Sequence, residues 1–93
     1  MNVVNWGEVY YVLARRYHLP KAHELMRLAS TFPIEWVVVD LELAKEAALM
    51  KAGKTLSYPD SFAAALTKLR AGELMTTDKD FKRVEKDIKI CWL

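Results

Sequence analysis

Glutamine is absent from this 93-residue chain, and asparagine occurs only as Asn2 and Asn5. With abundant Lys, Glu and Arg, that depletion fits a thermophile protein. A single cysteine, Cys91, excludes an intramolecular disulfide and makes a reducing, cytoplasmic compartment the simplest home. No apolar run approaches the ~20 residues of a membrane span, and no signal peptide precedes the first charged helix. Repeats, low-complexity tracts and Gly/Ser linkers are also missing. Charge is nearly balanced: 14 Lys+Arg against 12 Asp+Glu leave +2. That is short of the clustered basic footprint that would point to nucleic acid by itself.

What is present is globular. Hydrophobic residues make up 53% and charged residues 28%, a composition without a disordered tail. The length allows one domain, residues 1–93. A chain this short buries only about 60–65% of its unfolded surface, so each core contact matters.

Short helical and strand patterns alternate, which predicts an α/β layer fold. Residues 1–4 read as a strand end. Asn5-Trp6-Gly7-Glu8 reads as a capping box, opening a helix to about residue 18 with Trp6, Val9, Tyr10, Leu13 and Tyr17 as a buried stripe. A second helix spans residues 21–30 after Pro20, with Leu25, Met26, Leu28 and Ala29 as its apolar contacts. Residues 34–39 (IEWVVV) are β-branched and nearly continuous, as in a strand covered on both faces. Asp40 caps a third helix to about residue 52, with Leu43, Ala44, Ala47 and Ala48 inward. Ser57-Tyr58-Pro59-Asp60 is a second capping box, for a helix over residues 58–70 that Gly72 ends. Residues 73–76 form a short strand. Residues 78–87 form a helical turn anchored by Phe81 and Val84, and residues 88–93 alternate as an edge strand.

Three acids share a kind of position. Glu8 and Asp60 fall in the first turns of helices, and Asp78 follows a strand. In an open parallel sheet, strand carboxyl ends and the starts of following helices lie on one edge, so the three can converge there. Clustered carboxylates suit a hard cation, Mg²⁺ or Mn²⁺. Taken singly, Glu8 and Asp60 are ordinary capping acids and Asp78 a turn residue.

Three segments shift that balance. Asn5-Trp6-Gly7-Glu8-Val9-Tyr10-Tyr11, Ser57-Tyr58-Pro59-Asp60-Ser61-Phe62-Ala63-Ala64-Ala65-Leu66 and Met75-Thr76-Thr77-Asp78-Lys79-Asp80-Phe81 resemble, in order and interval, three successive signatures of PIN domains. They are closest to those of VapC-like toxin ribonucleases. The resemblance covers essentially the whole chain. It implies a three-layer α/β/α fold with a mostly parallel sheet, and metal-dependent RNA cleavage. It implies that Glu8, Asp60 and Asp78 hold one or two Mg²⁺ or Mn²⁺ ions, with Thr76 beside the site and Asp80 at a frequently acidic position. It also implies a small antitoxin protein as partner and a homodimer or higher homo-oligomer.

The family opens with a strand ending in a ligand aspartate, which this sequence does not show ahead of Asn5. In the family strand order 3-2-1-4-5 that strand is the central one. The chain is therefore expected to be the C-terminal portion of a PIN domain, N-terminally truncated, with weak or no nuclease activity. A truncated or misassigned start, a surface supplied by a second chain, and a degenerate, non-catalytic interaction module are the three explanations.

The remaining residues have plainer readings. His18 and His23 are surface or cap residues. Cys91 is a small core residue. Lys82, Arg83, Lys86 and Lys89, interleaved with Glu85 and Asp87, form a solvated face. Trp6, Trp36 and Trp92 are core or interface anchors, and Lys54 is a distant candidate for the acid edge.

Overall fold

A computed structural model describes all residues 1–93. It contains helices α1 (Val3–Arg16), α2 (Leu19–Ala29), α3 (Leu41–Gly53) and α4 (Tyr58–Leu69), strands β1 (Glu73–Thr76) and β2 (Lys89–Trp92), and a 3-10 helix, Lys79–Val84, between the strands. The chain divides into two compact units, Met1–Val38 and Val39–Leu93.

The first unit is a helical pair with a short extended clamp. Asn2, not Asn5, caps α1, its side chain accepting the Asn5 amide at 3.0 Å. The Asn2 side-chain amide donates in turn to the Asn5 side-chain oxygen at 2.6 Å. The cap is placed by pairing on either side of it. Val3 N–H donates to the Val37 carbonyl at 3.0 Å, and Val37 N–H donates to the Met1 carbonyl at 2.9 Å. Asn2 thereby forms a parallel bridge with Val37 and is almost fully buried. The strand expected over residues 34–39 reduces to this one bridge, with one further bond from the Met1 amino group to the Glu35 carbonyl at 2.9 Å; Val38 is 76% exposed.

The expected buried stripe of α1 is not buried either. The helix contains no buried residue, and Trp6, Val9 and Tyr17 are exposed. On α2 the buried residues are Ala22 and Met26, while Leu28 lies open. Tyr10 and His23 join the two helices, by a hydrogen bond between the hydroxyl and Nδ1 and by an edge-to-face ring contact. His18 caps α2 through Nδ1. An apolar groove of about 520 Å³ is lined by Val3, Trp6, Gly7, Met26, Ser30 and Trp36.

The second unit holds the hydrophobic core. Met50, Leu56, Ala64, Phe81, Val84 and Ile88 form it, with Ala63, Leu74 and Ile90 packed against it. Asp40 caps α3 by accepting the Leu43 amide at 2.9 Å. The buried face of α3 is Leu43, Ala47 and Met50; Ala48 turns outward. Ser57 caps α4, and that helix packs against α3 and β1. At its end Ala71 adopts the left-handed conformation at φ 49°. The Gly72 amide reaches the Thr67 carbonyl at 3.0 Å and the Ala71 amide reaches Lys68 at 3.2 Å, the paired bonds of a Schellman motif. Glycine thus follows the left-handed position rather than filling it.

β1 and β2 are parallel, with Glu73, Leu74, Met75 and Thr76 opposite Lys89, Ile90, Cys91 and Trp92. Parallel neighbours need a crossover of roughly a dozen residues or more, here residues 77–88 with the 3-10 helix. The fold is α/β with parallel strand pairing, as expected, and its sheet has two strands. Trp6 and Trp92 are exposed rather than core, and Cys91 is half-buried.

Candidate metal centre

The centre is assembled from local hydrogen bonds at the carboxyl end of β1 and the start of α4. Thr76 is the last residue of β1, and its hydroxyl oxygen accepts the Asp78 amide at 3.0 Å. Asp78 in turn accepts the Asp80 amide on Oδ1 at 2.9 Å, capping the 3-10 helix. Leu93 N–H donates to the Thr76 carbonyl at 3.1 Å, extending the strand ladder to the edge where these residues turn. Phe81 and Val84, both buried, anchor that turn in the core.

Asp60 arrives from the other side. Its amide donates to Ser57 Oγ at 3.2 Å, which fixes the first turn of α4. Ser61 Oγ donates to the Ser57 carbonyl at 2.9 Å beneath it. The half-buried Asp60 and the exposed Asp78 and Asp80 each present a carboxylate oxygen within 4.8 Å of the others. Burial is the main cause that raises the Asp60 pKa above its ordinary value; a side-chain hydrogen bond with Ser57 opposes the shift, and the charges of Asp78 and Asp80 add to it. Burial thus dominates the shift, and the neighbouring carboxylates reinforce it.

Asp60, Asp78 and Asp80 therefore meet within one unit. Asp80, expected as a secondary position, stands alongside the other two. Glu8 lies in the first unit and is half-buried on α1, beyond the first turn, because the helix begins at Val3. Lys54 pairs with Asp87 at 3.4 Å rather than with the acid edge. Arg83, read from sequence as part of a solvated face, pairs with Asp80 at 3.4 Å and donates to the Thr55 carbonyl at 3.2 Å. Its spacing of three from Asp80 on a helical turn was the signal for that contact.

The donor set is all carboxylate oxygen, which suits Mg²⁺ or Mn²⁺ and not the softer metals that favour thiolate or imidazole. Asp60, Asp78 and Asp80 are the side chains that would hold such an ion.

A parallel strand pair flanked by helices, with carboxylates gathered past a strand's carboxyl end, defines an α/β domain built around an acidic centre. The family model for the PIN domain matches residues 1–87, and the chain belongs to the PIN domain family. This is a nuclease-like fold, its members generally use a divalent metal, and RNA is the substrate the family suggests. Neither curated proteins nor solved structures yielded a match. No helix of the chain is long and apolar enough to cross a membrane.

Proposed function

We propose that this chain is a PIN-type, Mg²⁺- or Mn²⁺-dependent endoribonuclease domain, spanning residues 1–93 as one domain and acting as the toxin of a toxin–antitoxin pair. The observation that carries this reading is the gathering of Asp60, Asp78 and Asp80 within 4.8 Å, at positions where the sequence resembles two of the family's signatures. Asp60 and Asp78 are the principal ligands, Asp80 a further one, and Glu8 the acid that the first signature contributes. A bound divalent ion would supply an activated water and neutralise charge on the phosphoryl transition state. Thr76 keeps Asp78 in register by holding its amide, and its hydroxyl hydrogen remains able to donate to a carboxylate, water or phosphate.

For residues 1–93 tested by themselves, this reading expects weakened metal affinity and feeble or absent RNA cleavage, since none of them matches the aspartate that ends the family's first strand. The exposed apolar residues of α1, among them Val3, Trp6, Val9 and Val12, favour a second polypeptide on that face. A small antitoxin and a second copy of the chain are the partners this reading names. The same exposure favours the second reading, a non-catalytic PIN-like interaction module.

Mn²⁺ titration of chelator-treated protein, followed by incubation with RNA, tests the proposal. Saturable binding that is lost in Asp60→Ala, with Mn²⁺-dependent cleavage however slow, supports the nuclease. Absence of binding with a specific protein partner retained establishes the interaction module instead.

A further inference from the structure

We propose that Arg83 is a built-in counter-cation of the acidic centre, occupying Asp80 until a divalent ion displaces its influence, so that it sets the affinity of the site; this rests on the metal-site reading above. Three carboxylates drawn together by local hydrogen bonds repel one another whenever the site holds no cation. Arg83 Nη1 lies 3.4 Å from Asp80 Oδ1 and donates to the Thr55 carbonyl at 3.2 Å. One nitrogen with two hydrogens can serve both acceptors.

The second contact is what makes the arrangement more than a surface pair. Thr55 belongs to the connection between α3 and α4, the segment that leads to the Ser57 cap and so to Asp60. The guanidinium is thereby tied to a backbone atom and does not simply follow the Asp80 side chain. Asp80 cannot give its full charge to a metal while a fixed positive group stands beside it. Arg83 is half-exposed, so its effect is modest and sensitive to salt. Its action on the metal is indirect, through Asp80, and Arg83 is accordingly a positioning residue.

The test is calorimetric titration of the full chain with Mn²⁺ alone, at low ionic strength and after chelator treatment. Arg83→Gln removes the charge while keeping a polar side chain, and it is expected to tighten Mn²⁺ binding roughly two- to fivefold. Arg83→Lys is expected to stay near the wild-type value. The tightening should shrink in high salt and vanish in an Asp80→Asn background, a dependence that a purely structural role for Arg83 would not produce. Circular dichroism establishes that each variant is folded before titration.

If the wild type binds Mn²⁺ and Arg83→Gln binds it equally or more weakly, the inference is overturned while the metal site stands. If neither protein binds, the metal-site reading falls and this inference falls with it.

Discussion

Asp78 Oδ1 accepts the backbone amide of Asp80 at 2.9 Å, so one carboxylate both caps the 3-10 helix and faces the acidic centre. The two roles separate by substitution. Asp78→Asn keeps an oxygen that can accept the amide but loses the charge. Asp78→Ala loses both. Denaturant unfolding in chelator should show Asp78→Ala destabilised by about 1 kcal/mol and Asp78→Asn close to wild type. Neither should show the Mn²⁺-induced stabilisation of the parent, which a ligand at a hundredfold excess over its Kd sets at about 2.7 kcal/mol. Strong Mn²⁺ stabilisation of Asp78→Asn would remove Asp78 from the ligand set.

Thr76 makes a parallel case one step back. Replacing it with valine preserves shape but deletes the acceptor of the Asp78 amide. The expected cost is about 1 kcal/mol of stability, together with weaker Mn²⁺ binding as the Asp78 turn loosens. Thr76→Ser should restore both. Full Mn²⁺ affinity in Thr76→Val would mean that the hydroxyl does not organise the site.

The raised pKa of Asp60 fixes the sign of a pH dependence. Its carboxyl holds its proton more tightly in the folded chain, chiefly through burial. Its contribution to stability is therefore complete below the unfolded-state pKa and is lost as pH rises through the higher folded value. Asp60→Asn, which cannot ionise, should be more stable than wild type at neutral pH in chelator and should lack this part of the slope. Thermal unfolding of both proteins from acidic to neutral pH measures it. A wild type that gains stability relative to Asp60→Asn across that range would reverse the assignment.

Ala71 occupies the left-handed position that ends α4, where a Cβ is unfavourable. Ala71→Gly should raise stability by about 0.5–1 kcal/mol, less the entropy that glycine adds to the unfolded chain. Gly72, whose φ is not positive, gains nothing from that freedom. A destabilised Ala71→Gly in equilibrium unfolding would show that the native turn tolerates alanine without strain.

The caps of α3 and α4 were legible in the sequence because their partners lie three residues apart. Asp40 with Leu43 and Ser57 with Asp60 need nothing beyond their own first turns. The start of α1 misled for an instructive reason. Asn2 and Asn5 are both good caps, and the choice between them is made by Val37, which pins Met1 and Val3 through backbone bonds across more than thirty positions of sequence. Residues 34–39 carry a strand composition, but composition cannot supply a neighbour. Without a paired backbone on both sides, the segment keeps one bridge.

By itself, the sequence determined the helix starts in the second unit, the two short strands, the turn anchored by Phe81 and Val84, and the signatures that mark the family. These depend on spacings of a few residues, where side-chain chemistry acts on its own backbone. The tertiary structure decided that Asp60, Asp78 and Asp80 share one point, that Arg83 stands beside Asp80 tied to Thr55, and that α1 leaves its apolar side chains open. Those outcomes depend on which distant segments pack or pair, and helical periodicity marks an apolar face without providing the surface that covers it.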